Sequence, residues 1–399
     1  MNAQMNKFHY NPLGVFKIYS FDIKTKIIYG DNALDHLLDI PFNKIMIITD
    51  AFIVESGLIN MITDRLVRRG KAYRIYSDVV PDPPIDKIAL GVKALLEYNP
   101  DGLITIGGGS AIDTAKAIRE IYRHSEGNGQ ALPLIAIPTT SGTGSEVTSF
   151  SVVTDTENQV KYPLISDELL PTEAILDAEL TCSVPPAITA DTGMDVFTHA
   201  LEAYVSTKHS EFSDALAEKS IEICGTFLLR SYLDGKDRHA RSKMHVASCL
   251  AGLAFNAASL GINHSLAHQL GAHFHIPHGR ANAMLLPLII EFNTEIDKRS
   301  KSRTEYPKHV KKYVTIARIL GLQNFNTITT VRALVNWIQF MLEEMDMPHS
   351  VEETGKCTKE EYFKAIPAMA DAALADTCTP TNPRVPSRED IIGIYERLW

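Results

Sequence analysis

The chain has 399 residues, 45% of them hydrophobic and 22% charged, with a formal charge of −9. That length suggests two or three domains, each able to bury a core. The acidic balance, with no Lys/Arg run interleaved with aromatics, argues against nucleic acid as a partner. The longest apolar run near the centre, Met284 to Ile290, falls far short of the roughly 18 residues a membrane span requires. The five cysteines are odd in number, scattered, and without a C-x-x-C, which reads as reduced thiols and not a disulfide framework or cysteine zinc site. Residues 1–20 show neither an apolar h-region nor a small-residue cleavage site, so a soluble, cytoplasmic protein with no membrane partner is expected.

Phe21 to Tyr29 alternates as a strand, and Asn32 to Leu38 has helical character. Lys44 to Thr49 is a β-branched run ending at Asp50, the pattern of a buried parallel strand. A helix is expected over about Gly57–Arg69, a strand over Ala72–Tyr76, and a helix over Ile85–Tyr98 after the rigid PDPP at 81–84. Gly102–Ile106 is a further buried strand, followed by a helix over Ala111–Tyr122 and a strand at Leu134–Ile137. The alternation implies a parallel sheet covered on both faces. Ser151 to Ile165 breaks the rhythm as a hairpin with its turn at Asp155–Asn158. Beyond Pro185–Pro186 the chain reads as successive helices, which places a domain boundary near 186.

Three stretches carry candidate chemistry. The first, GGGSAIDTAKAI from Gly107 to Ile118, follows a buried strand and opens a helix, where backbone N–H groups carry partial positive charge and suit a pyrophosphate. It departs from G-x-G-x-x-G, and the acid, Asp50, ends the strand before the loop instead of lying about 20 residues after it. A plain strand-to-helix turn is the alternative. The hydroxyl-rich PTTSGTGSE at 138–146 either embraces the same dinucleotide or serves as a linker. The second stretch, DTGMDVFTHALEAY at 191–204, puts Asp195 and His199 at i,i+4, with Asp191 or Thr192 as candidate helix caps. The third, His264 to Gly279, holds five of the chain's 14 histidines. His264 and His268 share a helix face, Pro277 ends that helix, and His278 arrives from a turn. A metal site is one reading and scattered surface histidines the other; Asp195 and His199 would complete a three-histidine, one-aspartate ligand set with two of the later histidines.

These motifs, together with LDAELT at 176–181, GINHSLAHQLGAHFHIPHGRANAML at 261–285 and NPR at 382–384, resemble the iron-containing (group III) alcohol dehydrogenase family. The resemblance runs from about Lys24 to the C-terminus, and KYPLISDELLPTEAILD, DALAEK and PHGRANAML are similar to the propanol dehydrogenase branch of propanediol-utilising bacterial microcompartments. It implies the dehydroquinate synthase-like fold: an α/β NAD-binding domain at 21–186 and an all-α metal-binding and substrate domain at 187–399, with the metal in the cleft between. Residues 1–20 extend beyond the family's usual start and are either a docking segment or a tail.

The resemblance further implies Asp195, His199, His264 and His278 as metal ligands and His268 as the residue beside the nicotinamide that relays a proton or orients the ring. Cofactor positions are Asp50, Gly107, Gly108, Ser110, Asp113, Thr139, Thr140 and Lys161, with Asp50 favouring NAD over NADP. Phe255 and Cys378 match substrate-pocket positions, and Phe150 stands where related enzymes often carry a polar residue. His273 and His275 match no family role. The implied activity is NAD(H)-dependent interconversion of a small primary alcohol and its aldehyde, such as 1-propanol and propanal, at Fe(II). The donors suit Zn(II) as well, and iron comes from the family alone. A homo-oligomer is expected, with a microcompartment aldehyde dehydrogenase or shell proteins as candidate partners. The competing readings are a zinc-dependent polyol or glycerol-type dehydrogenase of the same fold and a microcompartment-associated interaction protein.

Overall fold

The computed structural model describes residues 20–81, 83–125, 132–155, 160–297 and 305–399, with the side chains of 155 and 160–163 outside that description. Its first half is an α/β layer built from β1 (Lys26–Tyr29), β2 (Lys44–Asp50), α1 (Ala51–Glu55), α2 (Asn60–Arg68), β3 (Ala72–Val79), α3 (Ile85–Tyr98), β4 (Gly102–Gly107), α4 (Gly109–Ser125), β5 (Leu134–Pro138), the hairpin β6 (Phe150–Asp155) and β7 (Val160–Ile165), and β8 (Glu173–Leu176). Six strands form one parallel sheet in the order β1-β8-β5-β4-β2-β3.

Strand periodicity divides the core between the two faces of this sheet. Ile45, Ile47, Ile104 and Ile106 pack with Leu34, Leu37, Ile62 and Leu66. The intervening Met46, Ile48 and Leu103 pack on the opposite face with Ile88, Val92, Ala115 and Ile118. Both faces are therefore covered, as the β-branched runs require.

Three local expectations change. The first strand starts at Lys26, not Phe21, because its neighbour β8 begins only at Glu173 and offers no ladder upstream; Thr25 turns its hydroxyl to the Pro171 carbonyl instead. The helix expected over 57–69 begins only at Asn60, because Gly57 turns the chain with φ 78° after a separate short α1 that ends at Glu55. The 32–38 segment is a 3₁₀ helix over Ala33–Leu38. Of the hairpin turn expected at Asp155–Asn158, residues 156–158 lie outside the described residues, as do residues 1–19.

From Pro186 the elements are helical: α5 (Pro186–Val205), α6 (Glu211–Leu233), α7 (Arg238–Ala258), α8 (Ile262–Phe274), α9 (His278–Thr294), α10 (Lys308–Ile319), α11 (Thr327–Glu344), α12 (Val351–Thr354), α13 (Lys359–Ala375) and α14 (Arg388–Leu398), with 3₁₀ turns between some of them. Helix α5 is the axis of the bundle. Every residue from Gly193 to Val205 is buried, the mark of a helix surrounded by others. Met194, Phe197 and Leu201 are fully enclosed, and burial of such side chains is worth about 1.5–3 kcal/mol each. No single helix among the described residues is long and apolar enough to cross a membrane, and all five cysteines are free thiols.

Two expectations around the histidines are also corrected. Helix α5 begins at Pro186, the proline at its first turn, so Asp191 and Thr192 lie inside the helix and cap nothing. Thr192 returns its hydroxyl to the Ile188 carbonyl. Helix α8 ends at Phe274, with His275 closing it in the left-handed conformation at φ 52°, and His278 is the first residue of α9 instead of a turn residue.

The α5–α9 approach is close. A Cβ at Gly279 would run into the Asp191 carbonyl and lie 3.2 Å from the Asp195 Cβ. Arg280 clamps the same junction, its Nε and one terminal nitrogen each 3.1 Å from an Asp191 carboxylate oxygen. Gly279→Ala is expected to force the two helices apart at a cost of about 1–3 kcal/mol. Thermal unfolding should show a lowered midpoint; an unchanged midpoint would contradict this packing.

Candidate metal centre and active site

The polar cluster is assembled from three helices. On α5, Asp195 and His199 stand one turn apart, with Asp195 Oδ2 3.9 Å from His199 Nδ1. Helix α8 contributes His264, which is 1% exposed, and the start of α9 contributes His278. Asp195 Oδ1 lies 3.8 Å from His264 Nε2 and 3.6 Å from His278 Nε2. One potential ligand atom from each of these four residues falls within 4.8 Å of all the others. The rings of His199 and His264 stack at 4.6 Å, and those of His264 and His278 sit 5.2 Å apart.

The donor chemistry fits a divalent cation. Burial lowers the pKa of both His264 and His199, and in His264 the neighbouring imidazoles act in the same direction. Both rings are therefore neutral at physiological pH, the form that binds metal. His199 Nδ1 is buried and, among the described residues, has no hydrogen-bond partner; a buried polar atom left so costs about 1–3 kcal/mol. A cation bound by the cluster would satisfy it.

Neighbouring side chains orient these four residues. Glu202, one turn beyond His199, takes a hydrogen bond from His264 Nδ1 at 2.6 Å and one from the Asn263 amide at 2.7 Å. That fixes Nε2 as the nitrogen His264 turns inward. Burial pushes the Glu202 carboxyl up to about 8, against the backbone N–H groups of Asn263, Gly261 and His264. Asn282 Nδ2 donates to Asp195 Oδ1 at 2.8 Å and lies 3.2 and 3.1 Å from His264 Nε2 and His278 Nε2. Asn263 in turn donates to the Asn282 side-chain oxygen at 2.9 Å. Sequence spacing names neither residue as a partner of the ligands, although Glu202 falls on the Asp195–His199 face of α5 at i+7.

His268 lies at the open edge. Its side chain is 41% exposed, and its ring stacks on that of His278 at 5.4 Å. His268 Nδ1 pairs with Asp376 Oδ2 at 2.8 Å. Phe255 stacks on His199 at 4.6 Å and Phe150 follows at 6.3 Å from Phe255, so the wall beside the cluster is aromatic. Cys378 stands next to this edge, its amide donating to Asp376 Oδ1 at 2.8 Å, and burial pushes its thiol well above the usual range. His273 is exposed at the end of α8 and bonds its own helix.

The glycine loop sits where the sheet order reverses. β3 lies on one side of β2 and β4 on the other, which opens a crevice beyond their carboxyl ends, the usual ligand position in such sheets. Asp50 and Gly107 end these two strands, and Asp50 Oδ2 would be 3.3 Å from a Gly107 Cβ. Gly107 adopts φ 149°, and a Cβ there would also meet Ala111 at 2.6 Å. Asp50 caps α1 by accepting from the Ile53 amide. The Thr139 amide donates to the Gly107 carbonyl at 3.0 Å, Thr140 faces Gly108, and Ser110 lies in the first turn of α4. Asp113 turns its carboxylate to the Ser145 hydroxyl and the Val152 amide. Lys161 is on β7, its side chain outside the described residues. The 138–146 loop runs from this region to α5, where a Cβ at Gly142 would lie 2.9 Å from the Thr192 Cβ.

Residues 24–178 match the iron-containing alcohol dehydrogenase family, and residues 189–399 match the C-terminal part of the Fe-containing alcohol dehydrogenase family. The 1-propanol dehydrogenase PduQ of Citrobacter freundii is 43% identical over 381 residues, covering 95% of this chain and 99% of that protein. The NADPH-dependent butanol dehydrogenase of Clostridium saccharobutylicum is 36% identical over 393 residues, covering 95% and 97%. Among solved structures, a 1,3-propanediol oxidoreductase aligns with a TM-score of 0.87 at 30% identity, covering 96% of this chain and 100% of that one. A sulfoacetaldehyde reductase from Bifidobacterium kashiwanohense in complex with NAD⁺ aligns at 0.83 and 27% identity, covering 96% and 99%. This chain belongs to the iron-containing alcohol dehydrogenase family and is an oxidoreductase that interconverts alcohols and aldehydes.

Proposed function

We propose that the chain uses NAD(H) and Fe(II) to interconvert a small primary alcohol and its aldehyde, with 1-propanol and propanal as the pair. The observation that carries this reading is the cluster of Asp195, His199, His264 and His278, its ligand atoms within 4.8 Å of one another, set against the Phe255–Phe150 wall. In this reading residues 21–186 seat the dinucleotide and 187–399 hold metal and substrate. Residues 1–20, which precede the matched region, are assigned no role.

When bound, the metal supplies Lewis-acidic charge for the substrate oxygen and the dinucleotide supplies the hydride carrier. The protein's part is orientation. Glu202 presents His264 Nε2 inward and Asn282 holds Asp195 Oδ1. Phe255 covers one face of His199 and keeps water from it. His268, at the open edge beside His278, handles the substrate proton. An aromatic wall favours an unsubstituted alkyl chain, because a substrate hydroxyl buried there would lack a partner.

Asp50 supports NAD(H). At the mouth of the β2/β4 crevice its carboxylate suits the ribose hydroxyls and repels a 2′-phosphate. The relatives divide on this point, one being named NADPH-dependent and another solved with NAD⁺, so the support comes from this chain's own residue. A homo-oligomer and a microcompartment setting, with an aldehyde dehydrogenase or shell proteins as partners, belong to the same proposal and rest on the likeness to the PduQ branch.

Three outcomes test it. After anaerobic purification with Fe(II), the enzyme should oxidise NADH with propanal and acetaldehyde, and more slowly with lactaldehyde; bound metal without turnover on any of them would sink the assignment, and elemental analysis identifies the metal. His264→Ala should lower metal stoichiometry by about tenfold or more and abolish turnover. Asp50→Gly should raise the efficiency with NADPH relative to NADH by on the order of tenfold, and an unaltered ratio would remove Asp50 from cofactor choice.

A further inference from the structure

His268 is held from behind by a carboxylate the ligand set does not use. Asp376 follows the last turn of α13 and reaches His268 Nδ1 with Oδ2 at 2.8 Å. Its other oxygen accepts from the Cys378 amide at 2.8 Å and from the Ser265 hydroxyl at 3.3 Å. These contacts hold the carboxylate plane, so it cannot rotate to follow the ring. The ring is fixed on its face as well, by stacking on His278 at 5.4 Å and 16°. An imidazole constrained in plane and hydrogen-bonded to a carboxylate through Nδ1 carries its proton there.

We infer that Asp376 is a positioning residue that locks His268 in the Nδ1–H tautomer and so presents a bare Nε2 to the cleft. The inference rests on the reading of His268 as the proton-handling residue. In alcohol oxidation the C–H bond breaks with its electron pair, and hydride passes to the oxidised dinucleotide. The O–H bond breaks with its proton passing to Nε2, and the C=O bond forms. The alcohol loses two electrons, the dinucleotide gains them, and the proton leaves through the exposed edge of His268. Only the tautomer with a bare Nε2 can take that proton. Asp376 then faces the imidazolium with a negative charge, the arrangement by which a carboxylate orients a catalytic histidine.

The test uses Asp376→Asn in the metal-loaded enzyme. The amide oxygen can still accept from Cys378 and Ser265, while the amide nitrogen donates to His268 Nδ1 and drives the proton to Nε2. With Zn(II) bound as a diamagnetic metal, ring ¹⁵N–¹H correlation spectra should show His268 protonated at Nδ1 in the parent protein and at Nε2 in the variant. With propanal and NADH, kcat should fall by about 10–100-fold while KM stays within about twofold and metal content is unchanged. An Nε2–H tautomer in the parent protein overturns the inference even if the variant does not fold. So does loss of metal from the variant, because Asp376 would then act on the ligands. His268→Ala separates the two claims: full turnover in it defeats the proton-handling reading, whereas lost turnover there with normal turnover in Asp376→Asn defeats the inference alone.

Discussion

A carboxylate and two imidazoles lie inside an apolar helical bundle, and much of the second half of the chain is arranged around that cost. Asp195, His199 and His264 are each no more than 5% exposed, in surroundings where an unpaired polar group is expensive. The structure meets the cost from two sides. Glu202 holds the remote Nδ1 of His264, and Asn282, itself held by Asn263, donates to Asp195 Oδ1. One potential ligand atom from each of Asp195, His199, His264 and His278 lies within 4.8 Å of the others, a spacing that a bound cation would satisfy. A network this buried is satisfied only when each member is in place, which accounts for the absence of a side chain at Gly279 and the Arg280–Asp191 clamp beside it.

The two halves of the molecule meet where Cys249 and Leu253 of α7 pack against Ala174 and Leu176 of β8, and along one loop. Residues 138–146 leave β5 beside the glycine loop and end against α7. Along the way Gly142 packs against Thr192 of α5 and the Ser141 hydroxyl meets His245 at 3.0 Å. From below, the fully buried Lys116 of α4 reaches the Ser145 hydroxyl and the Thr148 and Phe150 carbonyls. Burial lowers the Lys116 pKa to about 8 and raises that of Glu146 to about 7. Buried charges of this kind bring specificity more surely than stability. Here Lys116 ties the helix that opens at the glycine loop to the backbone of Phe150, which stands beside Phe255. Glycine loop and aromatic wall are thereby one mechanical unit.

Local pattern is legible where the physics is local. Ile85–Tyr98 follows its apolar periodicity residue for residue, and the alternation of Lys44–Asp50 separates two cores because strand side chains alternate. Boundaries fail where a neighbour decides them, as at β1, whose length is set by β8. Helix starts fail where a stronger local signal lies upstream, as Pro186 does for Asp191 and Thr192. Asp113 shows the same limit: its place in a glycine-loop motif does not reveal that its carboxylate is turned toward Ser145 and Val152.

Sequence by itself determined the chemical inventory: a glycine loop after a buried strand, an acid ending the strand before it, an Asp–His pair at helical spacing, and histidines one turn apart. Spacing along one helix is enough for that, because i and i+4 side chains meet whatever the helix packs against. Tertiary structure decided which of these residues converge and which atom each presents. It joined α5, α8 and α9 at one point and left His268 at the rim. It also supplied Glu202, Asn282 and Asp376, drawn from three helical segments up to 108 residues from the groups they orient. Ring tautomers and carboxylate rotations follow from such long-range hydrogen bonds, and no local periodicity encodes them.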